Sequence, residues 1–224
     1  MPTQQVHPAA TVVVVRDGTE GIETLMLRRN GRGSFGGMWV FPGGRVDPGD
    51  IDPTAPDDEL AAGRRAAVRE AREEAAIVLD PDSLLAVSHW RPPSSVPKAF
   101  ATWFFVAAAN GDVEVTVDGS EIHEHSWLTP AMVLQRRDAG AMELAPPTFV
   151  TLTLLAVHDT VDRLLDTLRA ATPERFHTQM GDIDGTGALF WHGDELYAAE
   201  PGPAGTHHRL LMTDAGWQYV RTSA

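Results

Sequence analysis

The stretch Arg69-Glu70-Ala71-Arg72-Glu73-Glu74 sets three carboxylates beside arginines. At about 100° per residue around a helix axis, Glu70, Glu73 and Glu74 fall within roughly 100° of one another. Like charges that close repel by a few tenths of a kcal/mol per pair. A hard divalent cation reverses the sign, because Mg²⁺ takes oxygen ligands in octahedral geometry and keeps several waters. The chemistry within reach is charge neutralisation and water activation by a bound cation. The same residues also suit a solvated helix face, with Arg69 and Glu73 as an i,i+4 ion pair. The helix alone leaves both readings open.

For such a face to exist, the segment must be helical and packed on its other side. A helical period runs from about Glu59, with Val68, Ala71, Ala75 and Val78 as the stripe expected to face a core. Asp80-Pro81 is the expected stop. Upstream, the β-branched run 11–15 and the alternating run 23–29 read as paired strands. Met38-Trp39-Val40-Phe41 is a short strand entering the Pro42-Gly43-Gly44 turn, and 46–58, with three prolines and five aspartates, reads as irregular. Downstream, 84–90, 100–108 and 121–128 read as strands, with a turn at 110–112 and a helix opened by Thr129-Pro130. Beyond Pro146, residues 149–168 have one helical period, and 186–197 and 208–212 have strand character. This order predicts a mixed sheet flanked by helices.

The chain has 224 residues, 43% of them hydrophobic, which suits one elaborated domain or a domain with an extension. Its formal net charge of -13 disfavours non-specific binding to nucleic acid. With no cysteine, disulfides, thiolate metal sites and cysteine nucleophiles are excluded. Neither a signal peptide nor a membrane-spanning run is visible, so a cytoplasmic location is expected.

Phe41-Pro42-Gly43-Gly44-Arg45-Val46-Asp47, followed by Arg69-Glu70-Ala71-Arg72-Glu73-Glu74-Ala75-Ala76-Ile77, resembles the Nudix box. Gly44, Arg69, Glu70, Ala71, Glu73, Glu74 and Ile77 match that pattern. Asp50 stands where the box has its first glutamate. The 18 residues from Asp50 to Arg69 replace the usual seven, an insertion of 11 (18 − 7). That extended loop resembles the branch near the peroxisomal coenzyme A diphosphatases. Ala76 replaces the late glycine, which suits a backbone with φ below zero. Residues 121–128, with Glu121 and Trp127, resemble the family's later strand near the active site.

The resemblance implies a Nudix-like α/β/α sandwich with a mixed sheet over 9–137, and a C-terminal helical and β extension over 138–224. It implies Mg²⁺ or Mn²⁺ held by Glu70 and Glu74, with Glu73 close behind and the Gly43 carbonyl as a further ligand. Arg69 would orient a glutamate. Glu121 is the implied base, with Glu124 as its competitor. Arg28, Arg29, Arg32 and Arg45 flank the box and are candidates for substrate phosphates; Trp39 and Trp90 are candidates for stacking or for the core. The implied activity is hydrolysis of the pyrophosphate bond of a nucleoside diphosphate linked to another group. Coenzyme A or its acyl derivatives, ADP-ribose, NADH and nucleoside triphosphates are the candidates, with no nucleic-acid or membrane partner and a homodimer as one arrangement. The competing function is a Nudix-like module that binds a nucleotide without cutting it. Outside the box, His123 and His125 share a strand face, residues 182–187 faintly resemble a calcium loop but read as a turn, and His207-His208-Arg209 read as solvated or as a phosphate contact.

Overall fold

The computed structural model describes residues 5–31, 35–96, 98–109, 111 and 113–222. Arg32 and two residues of the turn expected at 110–112 lie outside them.

The run of valines in β1 (Gln5–Gly18) explains its place. Val12 and Val14 pack against one layer and Val13 and Val15 against the other, all fully buried. A strand covered on both faces must be apolar throughout, and each such side chain contributes about 1.5–3 kcal/mol by burial. β1 pairs antiparallel with β2 (Gly21–Arg29) and parallel with β6 (Lys98–Ala108). β3 (Trp39–Val40) and β7 (Ile122–Leu128) pair with β2, β4 (Gly43–Arg45) pairs with β1, and β5 (Leu85–Arg91) pairs with β6. The result is a mixed sheet in the order β3-β2-β1-β6-β5, extended beyond β5 by β8 (Glu174–His177).

Helix α1 (Glu59–Ala75) covers one face, opened by Asp58, whose side chain accepts from the Ala61 N–H. Ala66, Ala67, Ala71 and Ala75 are fully buried against the sheet, so small side chains let the helix approach closely. The expected stripe is corrected at Val78, which lies beyond the helix and is 76% exposed. Ala76 is also corrected. It takes the left-handed conformation at φ 57, as the helix C-cap. Helices α2 (Pro130–Asp138), α3 (Pro146–Leu155) and α4 (Val161–Ala170) pack with the other face. The architecture is the α/β/α sandwich.

The helix expected over 149–168 is two helices, because Thr160 breaks from helical geometry and caps α4 through the Arg163 N–H. β8 (Glu174–His177) then joins the main sheet parallel to β5. A second sheet follows, β9 (Gln179–Ile183), β10 (Thr186–Phe190), β11 (His208–Thr213) and β12 (Gly216–Arg221), all antiparallel. The strand expected over 186–197 stops at Phe190. Residues 182–187 form the β9–β10 hairpin, with Asp184 and Gly185 both at positive φ. Trp90 stacks on Phe176 at 3.8 Å and meets Trp191 edge-on at 5.6 Å, which ties the extension to the core.

Candidate active site

The turn before β4 sets the site. Thr11 donates its hydroxyl to the Pro42 carbonyl at 2.7 Å, and the Val12 N–H reaches the same oxygen at 2.9 Å. A Cβ at Gly43 would collide with the backbone of Ala10 and Thr11, and one at Gly44 with the Glu70 carboxylate. These two glycines are therefore demanded by close approach: Gly43 lies on β1 and Gly44 lies under Glu70.

Glu74 is 4% exposed and accepts from the Gly43 N–H at 2.9 Å and from Arg29 at 3.3 Å. Burial pushes its pKa up to about 8; the Gly43 N–H and Arg29 oppose this, while Glu70 and Glu121 add to it. Glu70 is also raised by burial, against the pull of Arg69 and with the push of Glu73 and Glu121. Glu121 pairs with Arg29 at 2.5 Å, so one guanidinium joins Glu74 to Glu121. Glu124 instead pairs with Arg28 at 3.1 Å. Glu121 is thus the carboxylate that the fold brings towards Glu70 and Glu74.

Arg69 bonds to Asp50 at 3.0 Å, Glu70 at 2.8 Å, Glu73 at 3.0 Å and the Arg45 carbonyl at 2.9 Å. Its guanidinium is held charged, above all by the Asp50 hydrogen bonds. Asp50 is 5% exposed and also accepts from the Asp47 N–H at 2.9 Å. The short side chain at the altered box position therefore does reach the helix, through Arg69. Arg65 donates to the Asp50 carbonyl at 2.5 Å, which fixes the inserted loop from a second point.

Some expected residues stand elsewhere. Trp39 is 6% exposed and packs in the core, and Trp90 is 3% exposed in the same cluster; neither ring is open to a ligand. His123 and His125 lie exposed on β7. His208 and Arg209 are buried instead of solvated, and Arg209 forms a two-pronged pair with Asp194 at 2.7 and 2.8 Å. Arg29 faces the protein's own carboxylates. Its signal was available in the alternation of β2, where Leu25 and Leu27 face α1 and Arg29 continues their row. Three rings were not singled out: His7 at the start of β1 lies 5.9 Å from Phe100 at the start of β6, which lies 6.5 Å from the exposed Phe35 in the turn before β3. Arg45 reaches His7 Nδ1 at 3.0 Å.

Among the described residues, no three His, Asp or Glu side chains are gathered into a cage for an ion. The donor set fits a different mode. Mg²⁺ is commonly held by one or two carboxylates and completed by waters and substrate phosphates. Glu70 and Glu74 would suit this mode: burial raises the pKa of both, and Glu70 adds to the cost of ionising Glu74, a cost that a cation removes. Among the described residues, no helix is long and apolar enough to cross a membrane.

A sandwich of this order, with a glycine turn against a carboxylate helix, defines a Nudix-type α/β protein. The family model described as NUDIX domain matches residues 5–147, more than half of the chain, and the chain belongs to that family. It is 25% identical over 190 residues to a nudix hydrolase of Caenorhabditis elegans, covering 69% of this chain and 62% of that protein. The chain thus spans less than two thirds of that relative's length. Among solved structures, a NUDIX hydrolase from Alicyclobacillus acidocaldarius superposes with TM-score 0.65 at 25% identity, covering 74% of this chain and 97% of that one. A MutT NUDIX hydrolase from Burkholderia pseudomallei superposes with TM-score 0.50 at 22% identity, over 67% of this chain and 98% of that one, a likeness of fold alone.

Proposed function

We propose that this NUDIX-family chain is a divalent-metal-dependent hydrolase that cleaves the pyrophosphate bond of a nucleoside diphosphate linked to another group. The observation that carries the reading is the pair Glu70 and Glu74 on one helix, Glu74 buried against the Gly43 N–H and Glu70 part-buried over Gly44, with Glu121 joined to Glu74 through Arg29. Family membership and the similarity to hydrolases of the same fold support it.

Phosphoryl chemistry of this kind is mostly positioning and charge neutralisation. Glu70 and Glu74 are the ligands proposed for Mg²⁺ or Mn²⁺, with Glu73 at the outer edge. The cation, when bound, neutralises phosphate oxygens and lowers the pKa of a water. Arg69, anchored by Asp50, positions Glu70 and Glu73. Glu121 is 62% exposed at its side chain and is the proposed acceptor of the water's proton. Arg45 and the rings of His7, Phe100 and Phe35 form a basic and aromatic ledge suited to the organic part of the substrate. Arg28, half-exposed and paired with Glu124, is a weaker contact. The 11-residue insertion makes coenzyme A and its acyl derivatives the first substrates to test, ahead of ADP-ribose, NADH and nucleoside triphosphates.

The test is a panel of these compounds with Mg²⁺ or Mn²⁺, reading phosphate released after a coupled phosphatase. Metal-dependent release from at least one compound is expected. Binding without release from any of them would replace this reading with that of a nucleotide-binding module.

A further inference from the structure

The main sheet carries a basic patch on its β5–β8 edge, on the face that α1 covers and where Gly63 of α1 meets Trp103. β5 and β8 run in parallel with His89 opposite Arg175 and Arg91 opposite His177, and β6 places Trp103 opposite His89. Strand alternation puts these five side chains on one side of the sheet. Arg91, Arg175 and His177 are exposed, and among the described residues none of the three pairs with a carboxylate. The two guanidiniums, Arg91 and Arg175, sit diagonally across neighbouring strands in a chain of net charge -13.

Beneath them the sheet has unmet hydrogen-bonding capacity. His89 is 6% exposed and Trp103 is 9% exposed; their rings lie 4.7 Å apart, and the Arg175 guanidinium lies 5.6 Å from the Trp103 ring. Neither His89 Nδ1 nor Trp103 Nε1 has a hydrogen-bond partner among the described residues. Buried polar groups without partners are uncommon and mark places where something polar belongs.

We propose that this face is an oxyanion site, in which Arg91, Arg175 and His177 hold a phosphate group, free or carried by a small molecule, over a floor of His89 and Trp103. Two guanidiniums suit the forked recognition of a phosphate. The positive groups also bear on His89, pushed down to about 4 by burial first and then by Arg175, His177 and Arg91. A bound oxyanion relieves that repulsion. The site needs neither a metal nor the glutamates of α1, so it stands or falls apart from the hydrolase reading.

The experiment is a titration of metal-free, EDTA-treated full chain with inorganic phosphate, followed by the indole N–H resonance of Trp103. Trp103→Phe assigns that resonance, and sodium chloride at matched ionic strength is the control. A saturable shift is expected with phosphate and not with chloride. Arg175→Gln and Arg91→Gln should each weaken it about tenfold, and Arg163→Gln, on α4, should leave it unchanged. Tighter binding of 5′-AMP identifies a phosphate ester as the ligand, and equal or weaker binding identifies free phosphate; both support the site. Glu74→Gln should keep the shift. No saturable shift, the same shift with chloride, or wild-type binding in both Arg91→Gln and Arg175→Gln would overturn the proposal.

Discussion

Arg29 and Glu74 meet at 3.3 Å beneath the glycine turn, and the same guanidinium holds Glu121 at 2.5 Å. One cation on β2 thus spaces two carboxylates far apart in sequence, one from helix α1 and one from the bend just before β7. Arg29→Ala should lower turnover by about 10–100-fold, as for groups that orient metal ligands, with partial recovery in Arg29→Lys. Steady-state kinetics over a range of Mn²⁺ would check it. Unchanged turnover at every Mn²⁺ concentration would show that Arg29 only packs.

Asp50 anchors Arg69 through two hydrogen bonds, at 3.3 and 3.0 Å. Without it, the guanidinium has only Glu70, Glu73 and the Arg45 carbonyl to hold it, and competes more strongly with a cation for Glu70. Asp50→Ala is expected to weaken Mn²⁺ binding about tenfold, read by paramagnetic titration, with the secondary structure retained. Equal affinity in the variant would mean that Glu70 is not a ligand.

Ala76 holds the left-handed conformation that favours glycine. Ala76→Gly should therefore stabilise the fold by about 1 kcal/mol, offset in part by the added freedom of the unfolded chain. Urea denaturation would show a raised midpoint at constant slope. A lowered midpoint would mean that the helix ends differently in solution.

The extension contains its own acid-sensitive lock. Asp194 is fully buried; burial raises its pKa, but the hydrogen bonds from Arg209 and from the His208 and Leu196 N–H groups outweigh this and hold it below the usual carboxylate range. A group whose folded pKa is depressed contributes stability above its unfolded value, about 4, and loses it as pH falls through the folded value. The contribution should be constant at neutral pH and vanish in strong acid. Asp194→Asn leaves Arg209 buried without its charge partner and should cost about 3–5 kcal/mol. Urea midpoints of the two proteins across the acid range would test this, and equal midpoints at neutral pH would contradict it.

The carboxylate face was legible because its code is local. Glu70, Glu73 and Glu74 need only helical spacing to share a side, and Phe41-Pro42-Gly43-Gly44 marks its own turn. The strands of the sandwich were legible for the same reason, from runs such as Val12 to Val15. Features that rest on long-range pairing were not. Trp39 is an aromatic beside the box whose burial depends on cover from distant helices. Asp50 departs from the box pattern, and only the path of the inserted loop shows that it meets Arg69. The conformation of Ala76 is set by where α1 must stop for Ile77 to enter the core, at 2% exposure. The short strands of the extension have mixed polarity, and their order is fixed by the Trp90–Phe176–Trp191 cluster and the Asp194–Arg209 pair.

Glu74→Gln is the most direct test of the metal-dependent hydrolase. The amide keeps the shape and can still accept from Gly43, but it cannot supply a charged ligand. With the substrate that the wild type turns over fastest, metal-dependent turnover is predicted to fall by more than about 100-fold, with the circular dichroism spectrum and unfolding midpoint retained. Full turnover by a folded Glu74→Gln protein would contradict the account.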